Sequence, residues 1–530
     1  MSTPSAPEPP DFPPATGERV HHTVAGADEP VAVPRGRPAP LNSFVAGALV
    51  FFNSAAVLVI EIVATRLLAP YVGVTLQTYT AIIGVVLAGI ALGSWLGGFF
   101  ADLLNPRKTL GLLLIVGGGL AMSMLPISRV AGQQAEGHGS ANILVLALIS
   151  FFWPAAVLSA INPTVVKVQL KRLDQTGRTV GRLSAVATAG AIFGTILTGF
   201  VLLAWLPTST IVISLGAGLI AAGVVVTVCL AGWRARFSST GALSVVVLLG
   251  GLSLAAGSPC QRETAYFCAN VVHAGPASAG RVLVLDGIRQ SYVDLEDPTH
   301  LMFSYTERIA DLINALRPPR TPIHALEIGG GGFTLPRYIA ATRPGSNNVV
   351  LELDPNVVKI AQQRLGLATD ARLRVQVGDA RVSLRTEPNH ASDLVIGDAY
   401  AGRAVPWHLT TREFILDIRR KLRAGGVYTM NCIDAGSLAF VRAEAATLRS
   451  VFPYVAMEAR FGEVHTGIGE NFVFFASVQP LALAALTAGA RARRDGETIE
   501  VGSRLVRFVE HARVLRDDYA PVDQLITRNG

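Results

Sequence analysis

The residues of this 530-residue chain whose types and spacing could do chemistry are three acids at the ends of apolar runs and one block of glycines. Ala325 to Ile328 reads as a short strand, Gly329 to Gly332 as a turn that no side chain obstructs, and Leu335 to Ala341 as a helix beginning where a ligand would sit. The next apolar run, Val349 to Leu353, carries Glu352 about twenty residues past the glycines, where a doubly wound sheet places a carboxylate that holds two ribose hydroxyls. Two further runs, Val375 to Asp379 and Leu394 to Asp398, each finish on an Asp at the edge where such sheets bind ligands. Together the glycines and the acids predict a nucleoside pocket. An Asp in that place can equally cap the next helix.

The elements that must position these residues follow from the surrounding pattern. Arg281 to Leu285 and Gln290 to Asp294 alternate around an Asp286-Gly287 turn, a hairpin signature. Ile309, Leu312, Ile313 and Leu316 give a helix that stops at Pro318-Pro319 before the glycine strand. After Asp398 come a helix over Thr411 to Leu422, a Gly425-Gly426 turn and a strand over Val427 to Asn431. Strands over Tyr454 to Arg460 and Phe472 to Ser477 complete a sheet of about seven strands, and a charged helix near Ser503 to Leu515 closes the chain. The expected class is a multi-pass α-helical membrane bundle followed by an α/β, Rossmann-like seven-stranded sheet with a small β-hairpin subdomain at its start.

The membrane half comes from composition. Half of the residues are hydrophobic and mean hydropathy is +0.43, the excess lying before Gly257 and the charge mostly after Pro259. Spans are expected at Phe44 to Leu68, Thr75 to Phe100, Leu110 to Ile127, Ile143 to Val165, Leu183 to Leu206 and Thr210 to Leu230. A seventh candidate, Ala242 to Ala256, is short, but no charge occurs from Phe237 to Gln261. Residues 1–40 read as a disordered cytoplasmic tail, 41–257 as the bundle, 258–317 as the hairpin subdomain with its linking helix, and 318–530 as the Rossmann domain.

Arg35, Arg37, Arg107, Lys108, Lys167, Lys171, Arg172, Arg178, Arg182, Arg234 and Arg236 gather at one set of helix ends, against Arg129 at the other, so the amino terminus is expected in the cytoplasm of a plasma-membrane protein. Six spans put the second half inside and seven put it outside. Cys260 and Cys268 suit a small disulfide on the outer side, or two free thiols. The net charge of +7 and pI near 9.4 are accounted for by these loops, and no basic stripe interleaved with aromatics points to nucleic acid. Within the first span, Arg66 is expected to snorkel and Glu61 to pair inside the bundle; Gly190, Gly194 and Gly199 read as helix packing.

From about Tyr266 onward the chain resembles the spermidine synthases, the polyamine aminopropyltransferases, and the whole resembles bacterial fusions of a membrane bundle to such a domain. The matching residues are Leu285-Asp-Gly287 with Gln290, Phe303 to Glu307, Ile328 to Gly331, Leu351 to Asp354, Gly378-Asp-Ala380, Asp393 to Asp398 and Leu409 to Phe414. The resemblance implies aminopropyl transfer from decarboxylated S-adenosylmethionine to a small amine such as putrescine, without a metal, and commonly in a homo-oligomer. It implies that Gly329, Gly331, Glu352 and Asp379 hold the nucleoside, that Gln290 and Tyr305 line the donor and acceptor sites with Tyr400 beside them, and that Asp398 takes the attacking amine's proton. The chain departs from the family at Gly332 and Ala401, where carboxylates usually meet the two amines, and at Thr306 in place of His. Glu327 lies where many methyltransferases keep an acid near the methionine amino group, so transfer of a methyl group from S-adenosylmethionine stays open, as does a non-catalytic sensor on a transporter-like bundle.

Overall fold

The computed structural model describes residues 41–72, 76–135, 140–170, 176–231, 251, 260–275, 279–400, 404–460, 470–494 and 496–527. Its first part is all helix: α1 (Ser43–Val72), α2 (Leu76–Leu103), α3 (Pro106–Ala135), α4 (Ser140–Ser159), α5 (Ile161–Gln169), α6 (Thr176–Leu197) and α7 (Thr208–Ala231). α5 continues the line of α4, and α6 runs on through a wider turn to Trp205. Among the described residues six helices are thus long and apolar enough to cross a membrane, at the six places the hydropathy indicates. The seventh candidate, Ala242 to Ala256, lies outside the described residues apart from Gly251.

Small residues let these helices approach. A methyl group on Gly93 of α2 would collide with the Ala156 carbonyl of α4, and one on Gly97 would meet the Ala160 backbone. Gly190 and Gly194 of α6 press on Phe51 and Ala55 of α1, but Gly199 has nothing within 4 Å and plays no packing part. Asp102 pairs with Lys167, tying the end of α2 to α5. Glu61 differs from expectation: it has no ion-pair partner among the described residues. Arg66 leaves the bundle altogether and donates to the Thr264 carbonyl at 2.7 Å.

The second part opens with a small antiparallel sheet, β1 (Arg262–Glu263), β2 (Cys268–His273), β3 (Gly280–Leu285) and β4 (Ile288–Asp294), so the expected hairpin gains two strands on one edge. Cys260 and Cys268 form a disulfide. Helix α8 (Ser304–Leu316) leads to the main sheet, whose strands and helices follow as β5 (His324–Ile328), α9 (Thr334–Thr342), β6 (Asn347–Glu352), α10 (Pro355–Arg364), β7 (Leu373–Val377), β8 (Ser392–Gly397), α11 (Arg412–Lys421), β9 (Leu422–Asp434), α12 (Ala439–Arg449), β10 (Tyr454–Arg460), β11 (Glu470–Ser477), α13 (Leu483–Arg493), β12 (Glu497–Val501), α14 (Gly502–Phe508) and α15 (Val522–Thr527). The sheet has eight strands in the order β12-β10-β11-β9-β8-β5-β6-β7, parallel from β7 to β9 and antiparallel beyond.

Three differences from the sequence reading have local causes. β12 is an extra edge strand whose Glu-Thr-Ile-Glu pattern is too polar to show as one, and it is held by pairing with β10. The closing helix ends at Phe508 rather than Leu515, and the chain beyond it is tied instead by Leu515 N–H to Thr447 and by Arg516 to Tyr519. The Gly425-Gly426 pair lies inside β9, with Gly425 at φ 78°, rather than before it.

Phe414, Ile415 and Ile418 of α11 pack on one face of the sheet and Ile309, Leu312 and Ile313 of α8 on the other, so β5 and β8 are covered on both sides. Their carboxyl ends are the topological switch point, where the chain order reverses between β6 and β8 on either side of β5. Hydrogen bonds tie the tips into one floor: Gly329 N–H to Leu351 O, and Asp398 N–H to Ile328 O, each 2.9 Å.

Candidate active site

A cavity of about 720 Å³ opens over those strand tips and under the small sheet, within the range of small-molecule sites. Gln290, Tyr305, Gly329, Gly331, Glu352, Asp379, Asp398 and Tyr400 all line it; Glu327 alone of the expected site residues does not. Ala401 lies outside the described residues.

The glycine loop is shaped by what approaches it. Gly329 has φ 91° and its missing Cβ would strike the Asp398 carbonyl, so only glycine lets β5 and β8 end side by side. Gly332 donates its N–H to Ser291 Oγ at 2.9 Å, and a Cβ there would come to 2.7 Å from Ser291 Cβ. The acid usual at this position would therefore have to push β4 away. Phe333 is fully buried among Val293 and Val357 beneath the loop and leaves the cavity clear.

Glu352 braces the loop from below. Its Oε2 accepts Gly330 N–H (2.8 Å) and Gly331 N–H (3.2 Å), and its Oε1 accepts Asp354 N–H (2.9 Å). A carboxylate offers about four acceptor positions, so one remains for a ribose hydroxyl. Burial pushes its pKa up against those three backbone bonds. Asp379 takes the capping role: Oδ1 caps the short helix Ala380–Ser383 by accepting Val382 N–H at 3.0 Å, while Oδ2 meets His408 Nε2 at 2.8 Å on the cavity wall.

Asp398 stands at the centre. Burial raises its pKa to about 6, while hydrogen bonds from the Asn431 amide (2.9 Å) and the Tyr305 hydroxyl hold it from rising further. Tyr400 completes that wall by donating its hydroxyl to Asn431 O at 2.8 Å. Glu327 lies behind, 5 % exposed, its pKa pushed well up by burial and by the charges of Asp398 and Glu352. None of these three acids forms a salt bridge among the described residues. An acid poised near neutrality beside a cavity can accept a proton from a bound amine, and a cationic ligand would favour the charged form that burial disfavours.

Asn431, Ser291 and His408 are site residues that the sequence reading passed over. Asn431 had a signal, since it ends the strand expected after Asp398; the other two act through contacts 41 and 29 residues away in sequence. At the far end of the cavity Arg493 pairs with Asp311, Glu458 and Glu497, and Arg308, fully buried, reaches Glu497 at 2.7 Å. Burial works against the Glu497 charge, but the two guanidiniums hold its pKa at about 2.

No protein-family model matches the chain. Among curated proteins it is similar to the polyamine aminopropyltransferase of Vibrio vulnificus, with 32% identity over 171 residues, 31% of this chain and 55% of the relative. The chain thus spans about half the length of that relative. It is also similar to polyamine aminopropyltransferase 2 of Streptomyces coelicolor, with 26% identity over 502 residues, 89% of this chain and 87% of the relative. A shorter likeness, 29% over 165 residues, 30% of this chain and 29% of the relative, is to the N-terminal histidine N-methyltransferase of Emericella nidulans. Of solved structures, a probable spermidine synthase from Corynebacterium glutamicum aligns over 48% of this chain and 95% of its own, at 25% identity and TM-score 0.46. The spermidine synthase resemblance read from the motifs is thus found again in whole-sequence comparison, and it supports an enzyme of that kind.

Proposed function

From a chain that resembles the polyamine aminopropyltransferases, we propose a membrane-anchored transferase that moves an aminopropyl group from decarboxylated S-adenosylmethionine to a polyamine acceptor such as putrescine. The observation that carries this reading is the pair Glu352 and Asp398 on the wall of one cavity, with Glu327 buried behind them, none of the three forming a salt bridge among the described residues. Isolated buried carboxylates are costly unless a ligand brings the opposite charge, and a sulfonium with an amine brings it.

In this reading Glu352, with the glycine loop, holds the ribose, and Asp379 with His408 borders the base. Gln290 and Tyr305 close over the reacting centre. Asp398 accepts the proton of the attacking amine as nitrogen bonds to the carbon beside sulfur; the carbon–sulfur bond breaks and its electron pair stays on a neutral thioether. Asn431 and Tyr305 fix the Asp398 oxygens, so the alignment exists before the amine arrives. The six apolar helices anchor the domain to a lipid bilayer.

Glu327 favours a second reading, methyl transfer from S-adenosylmethionine, because an acid behind the glycine loop can meet an amino-acid ammonium. Calorimetry separates the two. Binding of the decarboxylated donor alone supports aminopropyl transfer, binding of S-adenosylmethionine alone supports methyl transfer, and binding of neither would leave a module without turnover.

A further inference from the structure

The α/β domain is docked on one particular end of the bundle. Glu263 of β1 caps the first turn of α7, accepting Thr208 N–H at 2.6 Å, and Asp523 of α15 accepts Leu76 N–H at the start of α2, at 3.2 Å. Arg66, near the end of α1, donates to Thr264 O. A Cβ on Gly287, in the β3–β4 turn, would come to 2.9 Å from Pro70 O. The start of α7, the start of α2 and the end of α1 are all at the same face of the bundle.

The opposite face carries the positive charge. Arg107 and Lys108 open α3, Lys167 closes α5, and Arg178 and Arg182 open α6. By the bias of cytoplasmic loops towards Lys and Arg, that face is cytoplasmic and the docking face is not. The path of the chain agrees. α7 has 24 residues, so Ala231 is about 35 Å from Thr208 at 1.5 Å per residue, roughly one bilayer away. Yet Glu263, only three residues after Cys260, touches Thr208. The chain therefore leaves α7 at one face and re-enters the described structure at the other, and between those points Phe237 to Gln261 carries no charge. The Cys260–Cys268 disulfide stands at the docking face, where an oxidising compartment would keep it closed.

We propose that the cavity of the α/β domain opens on the non-cytoplasmic side of the membrane, so that its donor and acceptor are drawn from outside the cytoplasm. This rests on the membrane reading of the bundle and is independent of which group is transferred. A sulfonium bearing an ammonium does not cross hydrocarbon unaided, so the step supplying the donor is its export or its formation on that side.

The test uses the full-length chain in right-side-out membranes, with exposed Cys229 replaced by Ser and one cysteine introduced at Glu296 in the α/β domain or at Lys108 in the first turn of α3. A membrane-impermeant maleimide is expected to modify Glu296→Cys at once and Lys108→Cys only after permeabilisation. The reverse order, labelling of both, or protection of both overturns the proposal. Should a variant fail to accumulate, acid trapping of thiols in the unsubstituted chain gives a second readout: Cys260 and Cys268 are expected to be unreactive until reduced, and free thiols at both overturn it. Neither readout uses turnover, so an inactive chain would defeat the transferase reading and leave this inference standing.

Discussion

In the proposed mechanism Asp398 acts only as an anion, and its pKa of about 6 gives the expected activity a pH signature. Below that value the carboxyl is protonated and cannot accept the amine's proton, so kcat/KM is expected to fall about tenfold per unit as pH drops below 6 and to level off above it. Asp398→Asn should lower kcat about 10²–10⁴-fold and abolish this limb while leaving donor affinity within a few-fold; a variant that still shows the limb removes Asp398 from the mechanism. The same substitution has a stability consequence of definite sign. The folded pKa is raised from 3.8, so the folded state disfavours the charge, a cost absent below pH 3.8 and fully present above 6. Asp398→Asn is therefore expected to raise the thermal midpoint in detergent at pH 7 and to leave it unchanged near pH 4. Glu352→Gln tests the neighbouring acid: it puts an amide where two backbone N–H groups now donate to Oε2 or one to Oε1, and donor Kd should weaken about tenfold, read by calorimetry.

At the scale of elements, the parts of the site visible in the sequence are those made by neighbours along the chain. The glycine loop, Glu352 and the strand-ending Asp379 and Asp398 were legible in place because a parallel strand, a turn and a helix impose their own spacing, and the six long apolar helices because length and apolarity suffice to mark them. Ser291 and His408 were not, since their partners Gly332 and Asp379 come from separate elements brought together by the fold. β12 escaped for a similar reason: its pattern is polar, and only the open edge of β10 makes it a strand. The α2–α4 contact was also hidden, because Gly89, Gly93 and Gly97 look like ordinary small residues in a long apolar run until Ala156 and Ala160 are placed against them. Gly93→Val forces those helices apart. Its expected cost is about 3 kcal/mol or more, seen as loss of the folded bundle in detergent, whereas Gly98→Val, at a position with nothing within 4 Å, should be tolerated.

For the whole molecule, docking of the α/β domain links the bundle to the cavity wall. Arg66 and Pro70 of α1 meet Thr264 and the Asp286-Gly287 turn, and the strand leaving that turn supplies Gln290 and Ser291 to the cavity. Asp286 is itself held, with Oδ1 accepting Cys268 N–H at 2.8 Å, next to the disulfide. The apolar helices thus set the position of one wall of the site, and in the proposed topology the side they choose sets which pool of donor the site can use. Sealed vesicles of the two orientations turn this into a rate measurement. With decarboxylated S-adenosylmethionine and putrescine added to the medium, right-side-out vesicles should form product without detergent, and inside-out vesicles only after permeabilisation, because neither charged substrate crosses the bilayer. Equal rates after detergent establish that both preparations hold the same amount of enzyme. If inside-out vesicles are instead the active ones, the docking face is the cytoplasmic one and the whole molecule lies the other way round in the bilayer from what its loop charges indicate, while the contacts of Glu263 with α7 and Asp523 with α2 stay as they are, because they fix the domain to the bundle and not to the membrane.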